Sequence, residues 1–185
     1  MKVIKECLGC KLLEIRTLTD NRGWFQVVFC PDDLLRERID FRGIEQLNQS
    51  MTEIAGVIHG SNYQESPFNQ AKLVRCTRGR LYSVAVDIDK ESPSYMRWYG
   101  FEQSTSNQYI MYTPRTYANG FVTMENCTKL EYFTDNKYSF QHAKSIRYDD
   151  PDIEIDWSMK GVITVRKMIM SEKNLNTPYL RDISK

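Results

Sequence analysis

Histidine is nearly absent from this chain: His59 and His142 are the only two in 185 residues. So few imidazoles exclude a histidine cluster around a metal ion. Neither sign of charge is in excess, with 25 lysines and arginines against 24 aspartates and glutamates scattered along the chain. A basic face broad enough for extended nucleic-acid binding is therefore not expected. No apolar run approaches the length of a membrane span, and MKVIKECLGC lacks the long apolar core of a secretory signal. The expectation is a soluble, cytoplasmic protein. Five cysteines, an odd number without repeating spacing, do not form a disulfide framework. Cys7 and Cys10 make a C-x-x-C, yet no second pair or nearby histidine completes a tetrahedral site, so reduced thiols are the plainer reading. Repeats, low-complexity stretches and linkers are also missing, which implies one domain over residues 1–185.

What is present is alternation. From Ile44 the chain breaks into short strand-like segments separated by turn residues: IEQLNQSM, AGVIHG, QAKLVRCT, RLYSVAVDI, RWYGFEQS, QYIMYTP, ANGFVTME and CTKLEYFTD. This spacing predicts an all-β sandwich or barrel and leaves no room for crossover helices. Residues 3–18 also alternate, followed by a turn at Asn21 to Gly23 and an aromatic strand. Pro31, Asp32 and Asp33 signal a helix start, so a short helix is predicted from about 31 to 39 with Leu34, Leu35 and Ile39 on one face. One further strand is expected over 163–170, then a loop-rich tail. QAKLVRCT and RLYSVAVDI read as a hairpin about Arg78-Gly79, with Lys72, Val74 and Cys76 on one side and Leu73, Arg75 and Thr77 on the other. A lysine among apolar strand positions must reach water or face a polar cavity, because a buried unpaired ammonium is costly. The cavity reading makes Lys72 the first functional candidate. The eleven tyrosines suit stacking on a base or sugar at a barrel mouth, and equally suit packing between strands.

The order IEQLNQS, GVIHGSNYQ, QAKLVRCTRGRLYSVAVDIDKESPSY, TPRTYANGF, LEYFTDNKY, YDDPDIEIDW and MSEKN resembles the dTDP-4-dehydrorhamnose 3,5-epimerase family of sugar-nucleotide enzymes, from about Thr19 to Pro178. The resemblance implies a cupin-like double-stranded β-helix or jelly roll. It also implies a homodimer, a dTDP-linked sugar in the barrel mouth, and neither metal nor other cofactor. In the family a histidine, oriented by an aspartate, removes a proton next to a ketone, a lysine steadies the enolate and a tyrosine returns a proton. The lysine matches Lys72 and the tyrosine Tyr132. The base does not match: Asn62 stands at the histidine position, Asn174 at the aspartate position, and Asn119 in TYANGF where the family has a second histidine. An amide has no basic nitrogen for a carbon-bound proton.

Among binding positions the resemblance assigns Arg22 to the diphosphate, Gln46 and Asn48 to the nucleotide or sugar, and Tyr138 to packing on the base or sugar. His59 replaces a phosphate-binding arginine and Val27 a glutamate. His59 is either a displaced base or a hydrogen-bonded surface residue, while His142 reads as a loop residue. Three functions remain open: an epimerase of altered or narrowed activity in deoxysugar or surface-polysaccharide synthesis; an inert nucleotide-sugar binder or partner of an active epimerase; and another reaction on the same keto-sugar.

Overall fold

The computed structural model describes residues 1–159, 161 and 176–183. Among these residues thirteen strands form three antiparallel sheets: β1 Lys2–Cys7, β2 Cys10–Glu14, β3 Thr17–Asp20, β4 Gly23–Gln26, β5 Gln46–Thr52, β6 Ile58–Gln64, β7 Lys72–Arg78, β8 Arg80–Asp87, β9 Trp98–Ser104, β10 Ile110–Thr113, β11 Tyr117–Thr123, β12 Thr128–Thr134 and β13 Ala143–Ile146. A six-stranded sheet runs β1-β2-β10-β7-β12-β5, a five-stranded sheet runs β13-β6-β11-β8-β9, and β3 with β4 stands as a separate ribbon. All eight segments read from alternation downstream of Ile44 are strands. Residues 3–18 hold an additional hairpin, because Leu8 and Gly9 both take positive φ (51° and 77°), the geometry of a tight two-residue turn. β13, just beyond His142, was not legible, since AKSI lacks strand alternation.

The hairpin expected about Gly79 is corrected. β7 pairs with β10 and β12, whereas β8 pairs with β11 and β9 in the other sheet. Gly79, with φ +75°, is thus a corner where the chain passes between sheets, and a Cβ there would meet Thr128 Oγ1 at 2.6 Å. The expected alternation of β7 survives: Leu73 joins one apolar cluster while Val74 and Cys76 join another.

The helix α1 covers Pro31–Arg36 and carries Asp32 and Asp33 in its first turn. Leu34 and Ile39 are buried but Leu35 is 73% exposed, which corrects the shared face. Adjacent helical residues diverge by about 100°, and the helix ends before Ile39, whose N–H reaches back to the Leu34 carbonyl at 2.9 Å.

Three apolar layers result. Leu34 and Ile39 pack with Leu13, Leu73, Ile110 and Phe133 on the outer face of the six-stranded sheet. Ile153, Trp157 and Leu180, the last on α2 (Leu180–Ile183), cover Ile58, Val84, Val86 and Val122 on the outer face of the five-stranded sheet. Between the sheets lie Val74, Cys76, Leu81 and Leu130, with Phe121 and Tyr132 against them. Apolar inner and outer faces explain why strands such as β8 are buried almost throughout. The strand expected over 163–170, and Asn174, lie outside the described residues.

Candidate functional site

The inner faces leave a cavity of about 240 Å³, whose lining includes Ser50, His59, Asn62, Lys72, Ser83, Asn119, Phe121 and Tyr132. It opens on an outer cavity of about 540 Å³ lined by Gln64, Gln70, Tyr138, Lys144 and Ser145, among others, and Asn62, Lys72 and Tyr132 belong to both. Together these volumes suit a small-molecule ligand.

Lys72 begins β7, its inward position set by the alternation that also turns Val74 and Cys76 inward. Its Nζ donates to the main-chain carbonyl of Asn62 at 3.4 Å, and no carboxylate is among the described residues lining the cavity. Desolvation without a counter-charge pulls its pKa down to about 8. The strand entry is pinned by Asp135, whose carboxylate accepts the Ala71 N–H at 2.7 Å and pairs with Arg115. Tyr132 reaches the cavity from β12, one strand over, and burial, with Tyr138 nearby, raises its pKa and keeps it protonated.

The facing sheet supplies His59, Asn62 and Asn119. On a regular strand residues 59 and 62 would point to opposite faces. Here the register shifts: Asn119 stands opposite Asn62 while Phe121 stands opposite His59, so three steps on β6 match two on β11. This bulge turns both side chains to the same cavity. His59 stacks on Phe121 (ring centroids 4.4 Å apart, planes 12° apart) and its Nε2 meets Thr52 Oγ1 at 3.0 Å. Burial lowers its pKa, so the imidazole is neutral near pH 7, and Nδ1 has no hydrogen-bond partner among the described residues. Asn119 donates to the Tyr117 carbonyl at 3.3 Å.

The other expected residues divide. Gln46 and Asn48 lie on the half-buried side of β5 with Ser50, and Asn48 stands opposite Tyr132. Tyr138 lines the outer cavity. Arg22 is not brought there: it sits exposed at the tip of the β3–β4 ribbon, paired to Asp20 at 2.6 Å. Val27, also exposed, follows the same ribbon. His142 is a loop residue, its Nδ1 2.8 Å from Ser139 Oγ. Cys7 and Cys10 are free thiols opposite one another in the first hairpin.

Sequence reasoning missed Ser83, Ser145 and Gln103. Gln103, fully buried, donates to the Val74 carbonyl at 2.7 Å and accepts from Ser83 Oγ at 2.6 Å, tying the strand of Lys72 to the opposite sheet. Alternation along RLYSVAVD put Ser83 on the side of Leu81 and Ala85, which was a usable signal. Nothing local marked Ser145 or Gln103.

The chain matches the family described as dTDP-4-dehydrorhamnose 3,5-epimerase over residues 5–182. It belongs to that family. Its class is therefore that of the sugar-nucleotide epimerases of deoxysugar biosynthesis, isomerases in reaction type. The dTDP-4-dehydrorhamnose 3,5-epimerase of Sinorhizobium fredii is 35% identical over 94% of this chain and 86% of its own length. The crystal structure of the enzyme of that name from Elizabethkingia anophelis NUHP1 superposes with a TM-score of 0.91 at 33% identity, covering 100% of this chain and 99% of the other. That of dTDP-6-deoxy-D-glucose-3,5-epimerase from Legionella pneumophila, in complex with dTDP-4-keto-L-rhamnose, gives 0.86 at 30% identity over 95% and 89%. The all-β, cupin-like jelly roll is thus established. Among the described residues no helix is long and apolar enough to cross a membrane.

Proposed function

We propose that the chain binds a dTDP-linked 4-keto-6-deoxyhexose, sugar in the inner cavity and nucleotide in the outer, and epimerises it at one carbon beside the ketone. The observation that carries this reading is the pairing of Lys72 and Tyr132 on one wall with a neutral His59 on the other, in a cavity whose described lining has no carboxylate. His59 Nδ1 takes the proton next to the carbonyl, the Lys72 ammonium holds the charge developing on the enolate oxygen, and Tyr132 returns a proton from the opposite wall. Removal on one side and return on the other inverts the carbon. Asn62 supplies no base, so turnover is slower and narrower than the family's. Support for the ligand comes from the Legionella relative, which holds a dTDP-linked keto-sugar. Nucleotide-sugar substrates and reduced cysteines suit a cytoplasmic location.

Asn62 also favours a second reading, binding without turnover, alone or beside an active epimerase, because its amide cannot accept the proton. Incubation with dTDP-4-keto-6-deoxyglucose in deuterated water separates the two. Deuterium at one carbon, lost in His59→Gln, is the expected result. Tight binding with no deuterium at high protein concentration would leave the second reading, and absence of binding would eliminate both.

The functional unit in this proposal is a homodimer. The β3–β4 ribbon exposes Leu18, Trp24 and Phe25, with Val27 just beyond it, and pairs with no other strand among the described residues, and β5, at the edge of its sheet among those residues, exposes Leu47 and Met51. A lone two-stranded ribbon is marginal in water, so a second copy covering it accounts for the apolar surface and gives Arg22 a route to a neighbour's diphosphate. Sedimentation equilibrium tests this: a monomer at micromolar concentration would rule it out.

A further inference from the structure

Position 62 offers an occupant a specific kind of contact, and the neighbouring strand fixes which. One end of the Asn62 amide lies 2.5 Å from the Gly60 carbonyl oxygen. A carbonyl oxygen only accepts, so that end is the NH2 group, and the amide orientation follows from chemistry. The other end, Oδ1, lies 2.5 Å from Ser145 Oγ, whose hydroxyl must then be the donor. Ser145 stands directly opposite Asn62 in the β13–β6 register. Ser145 thus holds the amide oxygen toward the β13 side, and Gly60 takes one N–H. The donor that Asn62, which lines both cavities, retains for a ligand is its second N–H. The Lys72 ammonium, bonded to the main-chain carbonyl of the same residue at 3.4 Å, is the adjacent donor.

We propose that Ser145 is a positioning residue that locks Asn62 as a hydrogen-bond donor beside Lys72, so that the two hold one oxygen acceptor, the ketone of the bound sugar or its enolate. The position that carries a base in the family is here the second half of an oxyanion clamp. This holds whether or not the chain turns over, and it rests on the reading that a keto-sugar nucleotide occupies the cavity. It also selects among ligands: a ketone accepts both donors with no hydrogen of its own to place, whereas a hydroxyl at the same carbon must also find an acceptor for its own hydrogen.

The test compares calorimetric affinities for dTDP-4-keto-6-deoxyglucose, dTDP-glucose and dTDP in the full-length wild type, Ser145→Ala and Ser145→Thr. Wild type should prefer the keto-sugar over dTDP-glucose. Ser145→Ala should lose about 3- to 10-fold of keto-sugar affinity beyond any change in dTDP affinity, the range of one net hydrogen bond, with an unchanged thermal unfolding midpoint as the control for folding. Ser145→Thr, which keeps the hydroxyl, should restore it. Equal keto-sugar affinity in wild type and Ser145→Ala, with dTDP bound normally, overturns the clamp and leaves the proposed function standing. Equal weakening of all three ligands assigns Ser145 to the shared nucleotide part rather than to the ketone and likewise overturns it. A wild type that binds dTDP but no keto-sugar overturns both.

Discussion

The two walls of the cavity differ in kind. Both family positions retained in the inner cavity lie on the six-stranded sheet, Lys72 on β7 and Tyr132 on β12, with Gln46 and Asn48 on β5 of the same sheet. Every departure lining the inner cavity lies on the five-stranded sheet: His59 and Asn62 on β6 and Asn119 on β11. One wall keeps the cation and the phenol that the proposed function assigns to stabilising and quenching an enolate, and the other carries amides and one neutral imidazole where the family resemblance places ionisable groups. In the proposed function proton removal falls to the altered wall and the Lys72 side of the carbonyl seat to the retained one, so change confined to one wall would alter the first and leave Lys72 in place. The sheets are built to allow this. Each has its own outer apolar layer, so substitutions lining one inner face need not disturb the packing of the other.

The largest test of this contrast restores the altered wall. Asn62→His combined with Asn174→Asp should raise deuterium incorporation into the keto-sugar by about 10²- to 10⁴-fold, the usual range for a positioned general base. An unchanged rate would mean that the six-stranded wall is not competent either. Removing the cation from the retained wall comes next: Lys72→Met should lower whatever exchange the wild type shows by about 10²-fold, read by the same mass-spectrometric assay. If Lys72→Met exchanged as fast as wild type, the assignment of roles to the two walls would be wrong.

A smaller and continuous effect is expected from pH. The Lys72 ammonium is present below about pH 8 and is lost above it, so exchange should fall as pH rises through about 8. Burial lowers the His59 pKa, so the basic form persists below the ordinary imidazole range and the acid limb should lie beneath pH 6.5. Lys72→Met should remove the alkaline limb from its residual exchange and leave the acid one, which separates the two walls in a single profile. The smallest effect probes the joint between them. Gly79→Ala meets Thr128 and a positive φ at the corner joining the sheets, and should cost about 1–3 kcal/mol of stability by chemical denaturation, with dTDP affinity little changed below the transition.

Much of the strand layout was legible because a period of two, punctuated by turn residues, is a local signal: the run from Gln46 to Thr134 could be segmented by eye. The first hairpin was hidden in residues 3–18 because alternation continues across its tight turn, and only Gly9 marked it. The helix face failed at Leu35 because the helix is too short for periodicity to fix a face.

The sequence by itself determined which side chains are available: a lysine and a tyrosine retained, three amides and one displaced histidine where the family carries other groups, and an alternation that turns Lys72 the same way as Val74. Tertiary structure alone decided which of these meet. Pairing partners are set by ladders between distant segments, so β7 and β8 went to different sheets despite adjoining in the chain. The bulge in β6, invisible without β11 beside it, brought His59 and Asn62 to one cavity against the parity of a strand. Ser145 acquired a role only because β13 runs beside β6 in a register that sets it opposite Asn62. Local patterns encode the face a residue shows, while contacts across more than a few residues depend on the whole ladder, and a chemical site is made of such contacts.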